Sequence, residues 1–169
     1  MCAGGPTGSI CKTSPSRAEL RVRRLGEHDR AWARKLISDA WGVPVVSISR
    51  SYDDPAALTG FIAEGENGQP LGLATYRAAP DECEVVTLIA VERRRGIGRM
   101  LLEAVREDAT EQGCERLWLM TTDDNPDALA FYEHLGWIEV ARHPDFDEVV
   151  RRSKPELANR FAAVELEWR

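Results

Sequence analysis

The chain has 169 residues, 43% of them hydrophobic and 30% charged, enough for one domain with a substantial core. Its net charge of −6 argues against non-specific binding to nucleic acid or to a membrane surface. No apolar run is long enough to cross a bilayer and the start lacks a charged-then-apolar leader, so a cytoplasmic location is the default expectation.

Residues 1–17 are rich in Gly, Ser, Thr and Pro and read as a disordered tail, which leaves residues 18–169 as the folded domain. Ala18 to Leu25 alternates Leu20, Val22 and Leu25 with arginines and reads as a first strand. Glu27 to Ala40 carries Trp32, Leu36, Ile37 and Ala40 at helical spacing and stops at Gly42. Val45 to Tyr52 is a β-branched strand, and Pro55 opens a short helical turn after it. Gly60 to Glu64 and Pro70 to Arg77 form a hairpin around Glu66-Asn67-Gly68. Glu84 to Val91 is apolar in both alternating sets, which marks a central strand covered on both faces.

Ile97 to Gln112 places Ile97, Met100, Leu101, Ala104, Val105 and Ala109 on one stripe of a helix that Gly113 caps. Arg116 to Thr121 is the next strand. Asn125-Pro126 supplies an N-cap and a first-turn proline for a helix with Ala128, Phe131, Tyr132 and Leu135 on one face. Trp137 to Ala141 is a strand, Asp145 to Arg152 a short helix, and Lys154-Pro155-Glu156 a loop. Ala162 to Trp168 is a last strand, with Glu165 and Glu167 opposite Val164, Leu166 and Trp168. This alternation of strands and helices predicts a three-layer α/β domain.

The chemistry concentrates at Arg93-Arg94-Arg95-Gly96-Ile97-Gly98-Arg99, between a strand and a helix. The glycines permit close backbone approach, and the first N–H groups of a helix have no internal acceptor and sit at the positive end of its dipole. Such a site suits phosphate. A Walker turn needs Gly-Lys-Ser/Thr, and a dinucleotide fingerprint needs a glycine where Leu101 stands. The four cysteines, Cys2, Cys11, Cys83 and Cys114, form no C-x-x-C pair and read as free thiols, with no metal site.

The ordered set Glu84-Val85-Val86-Thr87-Leu88, Arg-x-x-Gly-x-Gly, Arg116-Leu117-Trp118-Leu119, Thr121-Thr122-Asp123-Asp124-Asn125, Phe131-Tyr132 and Lys154-Pro155-Glu156 resembles the GNAT superfamily of acyl-CoA-dependent N-acyltransferases, closest in wording to a bacterial subfamily of small proteins. That resemblance implies an α/β/α fold whose central mixed, mostly antiparallel sheet is splayed at the cofactor. It implies acetyl-CoA as donor, no metal, and a small-molecule or peptide amine as acceptor; it also leaves room for a homodimer. Leu88, Ile89 and Ala90 would then offer backbone to the pantetheine arm. Arg93, Arg94, Arg95, Gly96, Ile97, Gly98, Arg99, Met100, Asn125, Ala128, Phe131 and Tyr132 would line the rest of the cofactor site, with the pyrophosphate on the backbone N–H groups of Arg94 to Arg99 and the arginine side chains assisting. Tyr132 is expected to protonate the leaving thiolate, and a backbone N–H of the central strand to stabilise the oxyanion.

Glu84 is the expected base, with burial raising its pKa, and Asp81 or Glu82 as substitutes. Trp41 reads either as a border of the acceptor site or as a core anchor. His134 and His143 have no partner visible in the sequence and read as surface or loop residues. Two other classes compete: an acyl-CoA-binding regulatory module with little catalysis, and a nucleotide- or nucleic-acid-binding domain that uses the arginines. The net charge and the glycine spacing count against the second.

Overall fold

The computed structural model describes residues 20–41, 54–143 and 162–168. The tail, the strand expected at Val45 to Tyr52, the helix at Asp145 to Arg152 and the Lys154-Pro155-Glu156 loop lie outside the described residues.

The chain forms β1 (Arg21–Arg24), a single 3-10 turn and α1 (Arg30–Trp41), then a second 3-10 turn at Pro55–Ala57. A hairpin of β2 (Thr59–Glu64) and β3 (Pro70–Ala79) follows, and β4 (Glu82–Ala90) leads into α2 (Ile97–Glu111). β5 (Arg116–Thr122), α3 (Pro126–His134), β6 (Trp137–His143) and β7 (Ala163–Trp168) complete it. The local causes are those expected of turn and cap residues. The Asp54 carboxylate accepts the Ala56 N–H at 3.0 Å, capping the Pro55 turn. Gly68, at φ +70°, closes the β2–β3 hairpin with its N–H on the Gly65 carbonyl at 3.0 Å.

The strands form one sheet in the order β1-β2-β3-β4-β5-β7-β6. Every neighbouring pair is antiparallel except β4 and β5, which run parallel. α2 covers one face through Ile97, Leu101, Leu102 and Val105, packed on Phe61, Tyr76, Val85, Leu117 and Leu119. α3 joins the same cluster through Tyr132. α1 covers the other face, where Ala33 and Ile37 meet Ile62 and Leu73. The expected three-layer α/β/α arrangement is therefore present.

One buried charge locks the α2 layer to the sheet. Asp108, at 5% exposure, accepts from the Tyr76 hydroxyl, the Arg24 guanidinium and the Gln112 amide. Burial opposes its charge, yet these donors hold the carboxyl below its ordinary value. The core-anchor reading of Trp41 is corrected: it is 40% exposed at the end of α1, because the amphipathic stripe that meets the sheet passes through Ala33 and Ile37.

Candidate active site

The β4–β5 ladder is short. It pairs Glu82 with Arg116, Cys83 with Leu117, Glu84 with Trp118 and Val85 with Leu119, and then stops. Beyond that point β4 pairs with β3 and β5 with β7, so the two parallel strands part and leave a wedge at their carboxyl ends. A helix starts after each of them, α2 after β4 and α3 after β5, so both N-termini stand at the open end of the wedge. β4 also carries a bulge: Tyr76 pairs with Val85 and Thr75 with Thr87, which leaves Val86 without a partner in β3.

The Arg/Gly turn joins β4 to α2. Arg94 and Gly96 both adopt the left-handed region, at φ +63° and +79°. Gly96 caps α2, and its carbonyl accepts the Met100 N–H at 3.0 Å. The Met100 N–H is thereby committed to the first helical turn. The N–H groups of Ile97, Gly98 and Arg99 precede it, where no helical acceptor exists. The Ala128 N–H is likewise committed, to Asn125.

The two turn glycines have different reasons. Gly96 supplies a backbone conformation that side chains rarely adopt. At Gly98 a Cβ would lie 3.0 Å from Cζ of Phe131, so its bareness admits the α3 ring across the start of α2. A third glycine, Gly72 on β3, lets α2 approach the sheet, since a Cβ there would sit 2.5 Å from Cγ2 of Ile97.

The arginine cluster is partly compensated. Arg93 pairs with Asp127 at 3.0 Å, Arg95 with Glu92, and Arg99 with Glu103 at 2.7 Å. Arg94 has no side-chain partner among the described residues. The Arg93–Asp127 contact and the Gly98–Phe131 contact draw the starts of α2 and α3 together.

On α3 the Asn125 side-chain oxygen caps the helix by accepting the Ala128 N–H at 3.2 Å, which leaves its amide N–H₂ uncommitted among the described residues. Tyr132 is buried, edge-on to Phe131 and tilted against Trp137 at centroid distances of 5.2 and 5.8 Å. Its hydroxyl has no hydrogen-bond partner among the described residues. Burial pushes the phenol above its ordinary value, so the proton stays on the oxygen at neutral pH.

The opposite, α1-side face of the wedge is polar. Leu117 and Leu119 face α2, so Trp118 and Met120 alternate to this side. Glu84 lies beside Trp118, buried, with one carboxylate oxygen 2.6 Å from the Arg77 guanidinium. Thr75 and Thr87, a directly opposed pair further along the same face, have buried hydroxyls without partners among the described residues, and so has the Trp118 indole N–H. The substitutes for Glu84 are placed differently: Asp81 is exposed in the β3–β4 turn at φ +72°, and Glu82 contacts Arg116 at 3.3 Å. Cys83, next to Glu84, is no nucleophile, because burial pushes its thiol up to about 12.

His143 is a surface histidine at the end of β6, as expected, and it has a partner that the sequence did not show: its Nε2 lies 3.0 Å from Oε2 of Glu165. The other Glu165 oxygen accepts from Arg116, whose Nε also reaches Glu167 at 3.0 Å. His134, by contrast, is exposed near the end of α3.

The profile of the acetyltransferase (GNAT) family matches residues 26–137. The chain belongs to that family. This acetyltransferase is 38% identical over 117 residues to the uncharacterized protein YdhI of Bacillus subtilis, covering 69% of this chain and 73% of the relative. It is 45% identical over 137 residues to the ribosomal protein bS18-alanine N-acetyltransferase of Salmonella typhimurium, covering 79% and 82%. Its fold matches the crystal structure of the ribosomal-protein-S18-alanine N-acetyltransferase from Escherichia coli with a TM-score of 0.68 at 20% identity, over 88% of this chain and 92% of that one.

Of the residues expected at the acetyltransferase's site, Arg93 to Arg99 and Asn125 stand at the two helix starts at the open end of the wedge, Phe131 reaches the start of α2, and Tyr132 is buried behind Phe131 against Trp137. Leu88, Ile89 and Ala90 line its β4 edge. Leu88 and Ala90 turn their side chains to the α2 face and Ile89 to the α1 face. The bulge at Val86 and the His143–Glu165 pair had no sequence signal, since both depend on strand register.

Proposed function

We propose that this protein transfers an acetyl group from acetyl-CoA to a primary amine by direct attack. The observation that carries the reading is the wedge between parallel β4 and β5, with the start of α2, which no side chain caps, at its mouth and the protonated Tyr132 on α3 beside it.

Each part has a chemical use. The N–H groups of Ile97, Gly98 and Arg99 receive the pyrophosphate, with Arg94 available for its charge. The unpaired edge of Leu88, Ile89 and Ala90 hydrogen-bonds the pantetheine arm as a further strand would. The bulge at Val86 frees backbone N–H from the β3 ladder to stabilise the oxyanion of the tetrahedral adduct. Tyr132 gives its proton to the leaving thiolate. The amine approaches from the α1-side face, where Glu84 supplies the negative charge that receives its ammonium form. No covalent intermediate on the protein is needed, in keeping with the buried, protonated Cys83.

The Salmonella relative acts on the alanine of a ribosomal protein, so a peptide with an N-terminal alanine is the first acceptor to try. Thiol release should be followed with that peptide and with amino acids, polyamines and aminoglycosides, beside calorimetry with acetyl-CoA. Acetyl-CoA should bind, and at least one amine should raise thiol release. Binding without turnover on any amine would reduce the protein to an acyl-CoA-binding module, and no binding would refute the reading.

A further inference from the structure

On the α2 side of the sheet, α2 and α3 leave a pocket of about 220 Å³ between them. Its position follows from the topology. Both helices start at the open end of the wedge and run back along the sheet, so the later turns of α2 meet the end of α3. Trp137 and Trp168, directly opposed at the ends of β6 and β7, line the pocket from the sheet, their rings nearly perpendicular at a centroid distance of 5.8 Å. Leu117 of β5, Leu102 of α2 and Leu135, which closes α3, supply the other apolar walls. Trp168 follows Glu167, and Glu167 stands opposite Trp118 in the closed part of the β4–β5 ladder. The strand floor of the pocket is therefore at the end of the sheet away from the wedge mouth.

The rim is basic. Arg106 lies two turns beyond Arg99, about 10 Å further along α2 from the wedge mouth. Its guanidinium sits over the Trp168 ring, with Cζ 5.0 Å from the centroid, and has no carboxylate partner among the described residues. His134, the last residue of α3, is exposed and likewise has no partner there. Glu103 is the single carboxylate of the lining, and Arg99 neutralises it at 2.7 Å. The buried Trp137 indole N–H also lacks an acceptor among the described residues. The carbonyls that end α3 are engaged by the chain itself, since the Leu135 and Gly136 N–H groups take those of Phe131, Tyr132 and Glu133. Donors without acceptors thus surround an apolar space, in a chain whose net charge is −6.

We propose that this pocket binds a small carboxylate with an apolar, ring-sized body, at a site separate from the acetyl-transfer wedge. Size sets the body: a cavity of about 150 Å³ takes a benzene ring, so 220 Å³ holds one ring with a carboxylate beside it. The unpaired donors set the head group. A neutral apolar molecule would fill the walls but leave Arg106 and His134 without an acceptor, and an ammonium would meet Arg106 with like charge. A bare inorganic anion would pair with Arg106 but leave the tryptophan and leucine walls uncovered. A carboxylate accepts two parallel N–H bonds from a guanidinium. The Trp168 face holds that guanidinium before the anion arrives, so less side-chain freedom is lost on binding. Trp137 is the shared wall, because its other neighbour is Tyr132 at 5.8 Å between ring centroids, so the two sites stand back to back.

The test uses the full chain with phenylacetate as the probe and no amine acceptor. Calorimetry should show saturable binding of one phenylacetate per chain, in the millimolar range or tighter. Phenylacetamide keeps the ring but loses the charge, so it should bind at least about tenfold more weakly, and benzylamine should not bind. Arg106→Gln should cost about tenfold in phenylacetate affinity, and His134→Gln less, with acetyl-CoA affinity and Tm close to wild type. By NMR, phenylacetate should move the indole N–H signals of Trp137 and Trp168 and leave that of Trp32, which packs on the α1 face. Saturating acetyl-CoA should leave phenylacetate affinity unchanged. Failure of phenylacetate to saturate, equal affinity for the amide, wild-type affinity in Arg106→Gln, unmoved Trp137 and Trp168 signals, or displacement by acetyl-CoA would overturn the proposal. The readout needs no turnover, so a protein that transfers no acetyl group can still bind the probe, and an active acetyltransferase can fail to.

Discussion

Gly72 is far from any motif, yet the structure makes it a control point for the cofactor site. Gly72→Ala would put a methyl 2.5 Å from Cγ2 of Ile97 and 3.0 Å from both the Ile89 carbonyl oxygen and Cδ1 of Leu101. The Ile89 oxygen belongs to the paired β4 backbone and cannot yield, so α2 must move. Overpacking of this kind costs about 1–3 kcal/mol. The lower unfolded-state entropy of alanine offsets roughly 0.5–1 kcal/mol of that. A net loss on the order of 1–2 kcal/mol corresponds to a Tm lower by about 2–8 °C for a domain of this size. The displaced residue, Ile97, opens α2 and carries one of the N–H groups assigned to the pyrophosphate. Losing one charge-assisted hydrogen bond of about 1.5 kcal/mol would weaken acetyl-CoA binding roughly tenfold. Thermal unfolding and calorimetry on the same preparation measure both effects. Gly72→Ala/Ile97→Ala should lose less stability than the sum of its single variants, because the clash is relieved. An unchanged Tm with unchanged acetyl-CoA affinity would refute the link between this contact and the site.

Three further outcomes follow from the geometry. Gly98→Asp, which drives a charged side chain into Phe131 at the phosphate-facing end of α2, should abolish acetyl-CoA binding; wild-type affinity by calorimetry would remove the turn from the site. Tyr132→Phe keeps the ring packing but removes the proton donor, so turnover should fall about 10²- to 10⁴-fold with acetyl-CoA affinity unchanged, and a full-rate enzyme would make Tyr132 a packing residue. Arg23 first, and then the Gly26 N–H against opposing burial, draw the Asp29 carboxyl from 3.8 to about 2. Its folded value is depressed, so its contribution, on the order of 2 kcal/mol, is present above pH 4 and lost as pH falls toward 2. Asp29→Asn should flatten that part of the stability–pH curve in denaturant titrations; an unchanged slope would contradict the ion pair.

Much of the architecture was legible because its causes are local. The apolar stripe of α2, the Asn125-Pro126 start of α3, the Gly68 turn and the Glu165/Glu167 alternation of β7 each depend on residues a few positions apart, where 3.6- and 2-residue periods act. The Arg/Gly turn was legible for the same reason, since a helix start without a side-chain cap and a left-handed glycine are properties of a short segment. Tertiary structure decided what register and proximity decide. Val86 is a bulge through the way β4 meets β3, and Asp108 is a buried anchor through its approach to Arg24 and Tyr76. Gly98 serves the Phe131 ring as well as any ligand because α3 begins beside α2. His143 gains Glu165, 22 residues along the chain, because β6 and β7 pair antiparallel in one register. A shift of that register by one residue would send Glu165 to the other face, and no local pattern around His143 records which register is adopted.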